Sequence, residues 1–306
     1  MKLLVTGGCG FIGANLINKL LKLGHDVTTI DNLSTGCTKN LAEGINFIEG
    51  DCQDDEVISK LNGSRFDSIL HLAGQSSGEI SFDDPVYDLQ TNTQSTLMLL
   101  DYAKWSGCKK FIYASSMSVY GNSTIQPVSE DLLPIPVSFY AIGKLASEHY
   151  LRTYSNYGIQ AISLRLFNVY GPGQNLGNLR QGMVSIYLAQ AIKNKKIVVK
   201  GAGERFRDLV YVEDVTSSFC KAIEFREKGY HCFNIGSGIP TSVHDIVNEI
   251  NHYFKNNLSV DYVEPTPGDM HGIYSDSSLA LEKIGWSFST PFREGFAAMY
   301  DWAVGQ

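Results

Sequence analysis

The sequence predicts an α/β chain, a doubly wound parallel sheet of the Rossmann type carrying a smaller, sequence-discontinuous α/β lobe. Three observations lead there. Short β-branched runs alternate with amphipathic stretches over the first two-thirds of the chain. Those runs are apolar nearly throughout, as strands buried on both faces of a parallel sheet must be. The first run leads straight into a glycine-rich turn that opens a helical pattern.

Residues 2–7, 26–31, 45–51, 67–74, 109–116 and 161–169 read as strands. Helical patterns lie between them, such as 15–24, where Gly24 reads as a helix stop. Alternation of this kind builds a doubly wound sheet. After Asn168 the pattern changes: Gly171, Pro172 and Gly173 begin a loop through 182 that leaves the sheet. A helix over 183–195 and a strand over 197–200 follow. Residues 208–216 and 232–236 read as a return to the first lobe, and the rest offers a helix at 243–255, a strand near 259–263 and two further helical stretches. The expected division is a dinucleotide-binding domain over 1–167, with 208–238 returning to it, and a substrate-binding lobe made of 168–207 and 239–306. The chain shows no internal repeat.

Composition narrows the partners. With 306 residues, 43% apolar and 19% charged, the chain can bury a sizeable core. A net charge of −7 argues against nucleic acid, whose backbone rewards a basic surface, so an anionic substrate needs a local basic pocket. No apolar run approaches the roughly 20 residues that span a bilayer, so no membrane partner is expected. The start reads as a strand and not as a signal peptide. Cys9, Cys37, Cys52, Cys108, Cys220 and Cys232 form no C-x-x-C pair, which predicts reduced thiols in a cytoplasmic protein. The histidines are scattered, and no metal is expected.

The glycine run Gly7, Gly8, Gly10 and Gly13 sits between a strand and a helix. Gly7 permits the tight turn, Gly10 lets the backbone approach a pyrophosphate, and Gly13 lets the helix pack close to the strand. The helix N-terminus attracts the phosphates. Asp31 ends the second strand, where its carboxylate takes both ribose hydroxyls and repels a 2′-phosphate, which selects NAD over NADP. Asp51, ending the third strand, and Cys52 face the adenine in this reading.

Tyr140 and Lys144 are four residues apart in a helical stretch, so their side chains share a face. A tyrosine of ordinary pKa about 10 is a poor base at neutral pH. A neighbouring ammonium and a positive nicotinamide ring favour the phenolate, and a fall of about 3 pH units asks roughly 4 kcal/mol of them. Ser115 and Ser116 end a strand, at the sheet edge where ligands bind in open α/β folds. A serine hydroxyl there can hold a sugar oxygen that gains or loses a proton.

With these residues stand the segments TGGCGFIG (6–13), DNLSTG (31–36), GDCQD (50–54), HLAG (71–74), SSMSVYG (115–121), YAIGK (140–144), RLFNVYGPGQ (165–174) and RFRDLVYVEDV (205–215). Together they resemble the extended short-chain dehydrogenase/reductases. Within that group they are similar to the nucleotide-sugar epimerase/dehydratase branch, and most to enzymes of the UDP-glucose 4-epimerase type. The likeness runs over essentially the whole chain.

The resemblance implies roles for matching positions. NAD would be held by Gly7, Gly10, Phe11, Ile12, Gly13, Asp31, Asn32, Ser34, Thr35, Gly36, Asp51, Cys52, Leu72, Ala73, Gly74, Asn92, Tyr140 and Lys144. Tyr140 would be the base, Lys144 would hold the cofactor ribose and tune it, and Ser116 would complete the triad. Ser116, Tyr140, Asn168 and Arg207 would bind the substrate, the last two at its diphosphate. A fork-shaped guanidinium in an acidic protein suits a phosphate; pairing with Asp208 or Glu213 is the other reading of Arg207.

The implied activity is NAD-dependent epimerisation of a nucleotide-sugar, at C4 of a UDP-hexose, through transient hydride transfer and a 4-keto intermediate. A dehydratase, a C2-epimerase or a 4-reductase on the same scaffold is the alternative, and a non-catalytic NAD-binding module a distant one. Met117 and Ser118 stand where related 4,6-dehydratases carry an Asp-Glu pair, and a methionine cannot transfer a proton. Thr266 stands where such epimerases often have a phosphate-contacting arginine, a place Arg180 or Lys200 would have to fill. Ile273 falls near the position that limits sugar size. Family members often form homodimers through paired helices, here 86–106 and 140–157 with Leu97, Leu100, Leu145 and Tyr154, although a packed interior face explains those side chains equally.

Overall fold

The computed structural model describes residues 1–264 and 271–305. Twelve strands are found among them: β1 Lys2–Thr6, β2 Asp26–Asp31, β3 Asn46–Glu49, β4 Ser68–His71, β5 Lys110–Ser116, β6 Gln160–Leu166, β7 Asn168–Tyr170, β8 Lys196–Lys200, β9 Phe206–Tyr211, β10 Tyr230–Ile235, β11 Pro240–Ser242 and β12 Ser259–Val263.

Seven of them form one parallel sheet in the order β10-β6-β5-β4-β1-β2-β3. The order reverses at β1, whose Thr6 pairs with Ile30 on one side and His71 on the other. A crevice opens at such a reversal, beyond the carboxyl ends of the strands. The central strands are apolar because helices cover both faces: Leu3, Leu4, Val5, Ile69, Leu70, Phe111, Ile112, Ile162 and Leu164 are all buried. β3 is shorter than the sequence suggests, and its residues are partly exposed because it lies at the edge.

On one face the helix Phe11–Lys22 packs beside the helix Val212–Glu224. Lys110 at the start of β5 fastens the second of these, its ammonium donating to the carbonyls of Ala222, Ile223 and Phe225 at the helix C-terminus. On the other face lie the helices Ser95–Ser106 and Phe139–Ser155.

Beyond Leu166 the remaining strands make two small sheets. One has the order β11-β9-β7, and the other pairs β12 with β8. Val184, Leu188, Ile197, Val199, Ile246, Ile250 and Phe296 form their common core. The stretches read as returning to the first lobe go to different places. Residues 206–211 are β9 of the small sheet, whereas 212–224 pack on the large sheet and 230–235 are its edge strand β10. No helix among the described residues is long and apolar enough to cross a membrane.

Candidate active site

The glycine turn lies at the sheet's reversal point. Gly7 has φ +72, a left-handed conformation that favours glycine, and its amide donates to Ile30 O at 2.8 Å. A Cβ built on Gly7 would stand 2.8 Å from Ala73 N, and one on Gly13 would collide with the carbonyl oxygen of Gly7. The turn is therefore drawn against both β4 and the helix it opens. Outside Gly10 there is room, since a Cβ there would meet only Gly7 O, at 3.3 Å. The helix Phe11–Lys22 starts with no side-chain cap and no acidic residue in its first turn. Its amides and positive dipole end are thus available to an anion. Phe11 and Ile12 turn their side chains onto the protein core, which leaves their backbone at the turn.

Thr6 locks this turn to its neighbour. Its hydroxyl accepts from the amides of Leu72 (3.2 Å) and Ala73 (3.1 Å) and lies 2.7 Å from His71 Nδ1. With two amides already donating, the hydroxyl proton goes to Nδ1, which leaves Nε2–H to donate to Thr96 Oγ1 at 3.1 Å. Burial lowers the His71 pKa to about 3, with the Lys144 charge acting the same way, so the imidazole is neutral.

Asp31 ends β2 and is buried. Its Oδ2 accepts from Cys9 N at 2.9 Å and its Oδ1 from Leu33 N at 2.8 Å. Each oxygen keeps a lone pair for a further donor, as recognition of two ribose hydroxyls requires. Ser34 and Thr35 are exposed in the following loop, and Gly36 approaches Cys9 so closely that a Cβ would lie 2.7 Å from its carbonyl carbon. Asn32 Nδ2 donates to Asp51 Oδ1 at 3.0 Å, which joins the loops after β2 and β3. The Cys52 side chain packs in the core, and burial pushes its thiol far above the ordinary range, with Asp51 and Asp31 adding to the rise.

On the other side of β1, Asn92 lies in a π-helical turn, Gln90–Gln94. Such turns insert a residue and re-aim side chains. Asn92 Nδ2 donates to Gln75 O at 2.9 Å and to Asp88 Oδ1 at 3.2 Å. Its Oδ1 is buried without a hydrogen-bond partner among the described residues and lies where a Cβ on Gly74 would stand. An orphaned acceptor of this kind calls for a donor from a bound group. The glycine cradle, the Asp31 carboxylate and this acceptor together fit a dinucleotide such as NAD.

Ser116, Tyr140 and Lys144 converge at the carboxyl end of β5. Ser138 caps the helix Phe139–Ser155, its hydroxyl accepting from Ala141 N at 3.2 Å, which places Tyr140 in the first turn. Lys144 is buried, its Nζ donating to Ala114 O at 3.0 Å. Burial lowers its pKa to about 8, against the raising effect of Asp88 and Glu148. The Ser116 hydroxyl faces Tyr140, whose pKa it acts to lower, and accepts from Ser118 N at 3.2 Å and Ser118 Oγ at 3.0 Å.

Burial raises the Tyr140 pKa to about 12, the Asp88 charge adds to the rise, and only the Ser116 hydroxyl opposes it. Desolvation of a phenolate is the larger effect here, beside an ammonium one turn away that gives one of its three protons to Ala114 O.

Met117 stands beside Ser116, its sulfur 4.0 Å from Asn168 Nδ2, so Asn168 reaches the catalytic edge. Asn168 also donates to Asp208 O at 3.2 Å. Arg207 lies on β9, the neighbour of β7, and donates to the carbonyl of Phe206 at 2.7 Å. Burial and nearby Arg205 lower its pKa to about 10. The Asp208 carboxylate accepts from Ser237, Gly238 and Ser275.

Two cations, Arg180 and Lys200, are the candidates to replace an arginine at Thr266. Arg180 pairs with Asp83 at 2.5 Å and Glu79 at 3.5 Å, and Lys200 is exposed. Thr266 itself is outside the described residues. Ile273 is buried in the main core. Among the described residues no three His, Cys, Asp or Glu side chains group as a metal site. Gln75 and Asp88 escaped the sequence reading; the available signal was the four-residue spacing of Asp88 and Asn92, one helical turn.

Comparison with known proteins agrees with this geometry. A model described as the NAD dependent epimerase/dehydratase family matches residues 3–236. The UDP-glucose 4-epimerase of Mycolicibacterium smegmatis is 34% identical over 304 residues, covering 97% of this chain and 96% of that protein. The crystal structure of UDP-glucose 4-epimerase from Thermotoga maritima with UDP-glucose superposes with a TM-score of 0.96 at 33% identity, over 100% of this chain and 99% of that one. The Thermus thermophilus UDP-glucose 4-epimerase complex with NAD gives a TM-score of 0.93 at 31% identity, over 100% and 99% of the two chains. The chain belongs to the NAD dependent epimerase/dehydratase family.

Proposed function

We propose that this protein epimerises a nucleotide-sugar at C4 of a UDP-hexose, using NAD and passing through a 4-keto sugar. The observation that carries this is the meeting of Ser116, Tyr140 and Lys144 beside the glycine turn and Asn92, with Met117 where dehydration needs an acid. NAD, when bound, supplies an acceptor that takes a hydride from the sugar carbon and returns it, and a positive charge beside the phenol.

The chain's own residues do the rest. The Tyr140 oxygen takes the proton of the C4 hydroxyl and gives it back after inversion. Ser116, oriented by Ser118, hydrogen-bonds the same sugar oxygen. Lys144, fixed to Ala114 O, keeps a cation beside a phenol that burial would otherwise hold protonated. Asp31 receives the adenosine ribose and its charge turns away a 2′-phosphate. Asn168 and Arg207, on adjacent strands of the small sheet, hold the diphosphate so that the sugar can turn while it stays tethered. In this reading residues 1–167 form the cofactor lobe, with later returns to it, and the small sheets form the substrate lobe.

We also propose a homodimer. Leu100 is fully buried, Leu145 and Tyr154 pack against the core and Leu97 is partly buried, so the side chains first considered for an interface are largely interior. The same helices expose another set: Val86, Leu89, Ile142 and Tyr150, with Phe82 and Phe139 in edge contact beside them. An apolar strip of this kind marks an association surface. Six free thiols suit a reducing compartment, which favours the cytoplasm.

The test is product analysis by NMR after incubation with UDP-glucose or UDP-N-acetylglucosamine. Formation of the 4-epimer, with no net NADH, is expected. A dehydrated keto sugar, or stoichiometric NADH, would overturn the reading.

A further inference from the structure

Asp88 is a carboxylate only 1% exposed, lying behind the Tyr140–Lys144 pair on the short helix Pro85–Leu89. Its Oδ1 accepts from Gln75 Nε2 at 2.8 Å and from Asn92 Nδ2 at 3.2 Å. Its Oδ2 faces the backbone between Tyr140 and Lys144, since a Cβ built on Gly143 would stand 3.5 Å from it. Both hydrogen-bond donors are neutral amides. A buried carboxylate with neutral partners alone is costly, and a charge placed there acts strongly on its neighbours.

We propose that Asp88 is a positioning residue for the Tyr140–Lys144 pair: held by Gln75 and Asn92, its fixed negative charge decides at which pH Lys144 keeps its proton and Tyr140 releases its own. The proposal rests on the reading of that pair as the catalytic one.

The other groups packed around the pair leave this role to Asp88. From β4 comes His71, which is neutral. From β5 comes Tyr113, its ring centre 4.8 Å from Lys144 Nζ and its phenol pushed far up by burial. Glu148, on the helix of the pair, also raises Lys144, to a smaller extent than Asp88, and is engaged by Arg165 of β6 at 2.7 Å and by Ser115 at 2.5 Å. Glu79 and Asp83 pair with Arg180 at the surface, and Asp101 holds Tyr154 at the far end of the helix. The Asp88 charge opposes burial at Lys144, raising its pKa, and adds to burial at Tyr140. Burial raises the Asp88 carboxyl itself, while Gln75, Lys144 and Asn92 pull it back towards the charged form.

Removing the charge must move both partners the same way. In full-length protein carrying 13C-lysine, the Lys144 Cε resonance is assigned by its loss in Lys144→Arg and titrated. Asp88→Asn is expected to lower the Lys144 midpoint by about 0.5 pH unit or more. The whole pH profile of epimerisation should shift to lower pH with it, and Asp88→Glu should restore both. A purely structural role would lower the height of the profile and leave its position unchanged. An unmoved Lys144 midpoint in Asp88→Asn overturns the proposal. Should that variant not fold, Gln75→Leu, which loosens the carboxylate's hold on its charge, must move the midpoint in the same direction to a smaller extent; no movement there is equally fatal. The lysine titration needs no turnover, so failure of the wild type to epimerise UDP-sugars would count against the proposed function, separately from this result.

Discussion

Lys144 Nζ stands 5.6 Å from the centre of the Tyr140 ring, with its hydrogen bond directed to the backbone at Ala114 rather than to the phenol. The pair is therefore coupled through space and through whatever else enters the pocket. Tyr140→Phe removes the oxygen that moves the proton and nothing that supports the fold. Turnover should fall by roughly 10²–10⁴-fold, with the melting temperature nearly unchanged. Retention of more than a few per cent of activity, measured by coupled detection of the epimer, contradicts the role assigned to this residue.

Lys144 itself opposes stability. Burial takes its pKa from 10.5 to about 8, so between those values the unfolded chain binds a proton that the folded protein does not. The penalty is fully present below pH 8, fades as pH rises and is gone above 10.5. Its upper limit is about 3 kcal/mol, the opposing effects of Asp88 and Glu148 being contained in that shift. Lys144→Met should be inactive yet at least as stable as wild type at pH 7 in urea unfolding, with the difference closing towards pH 10. A variant clearly less stable at pH 7 would show that the ammonium holds the site together.

Asp31 carries a double duty, tying Cys9 and Leu33 while presenting its remaining lone pairs to the crevice. Asp31→Ala should weaken NADH binding at least tenfold, about 1.4 kcal/mol, as followed by fluorescence titration. Discrimination against NADPH should narrow at the same time, because the repelling charge is gone. Equal loss for both dinucleotides would mean that the residue serves the loop alone.

The outer face of the helix Phe139–Ser155 exposes Ile142 and Tyr150. Ile142→Arg places a charge in the proposed contact between subunits, where an unpaired buried charge is not tolerated. Sedimentation velocity should show a dimer for the wild type and a monomer for the variant. A wild type that sediments as a monomer removes the dimer from the account.

Much of this architecture is legible in the sequence because two periodic signals are strong. Continuous apolar runs such as Leu3–Val5 and Phe111–Tyr113, repeated between amphipathic stretches, fit central strands, and a glycine run between strand and helix has few uses. Tyr140 and Lys144 stand out only when their four-residue spacing is joined to the glycine run and to the strand-end Ser116. What escaped depends on tertiary context. Asp88 is one acid in a polar segment until Gln75 and Asn92 close over it. The π-helical turn that aims Asn92 has no local composition signal. The resemblance points to the helices of the proposed dimer surface, but the sequence does not distinguish Leu100, which is buried, from Ile142, which is exposed. The burial that raises the Tyr140 pKa has no signal in the sequence.

The central claim is that a hydrogen leaves the sugar carbon as hydride and returns to its opposite face without meeting water. The direct measurement uses UDP-glucose carrying deuterium at C4, converted in ordinary water and analysed by NMR and mass spectrometry. The account predicts that the C4-epimer retains its deuterium at C4. Loss of the label to solvent, or its replacement by solvent hydrogen, would contradict it.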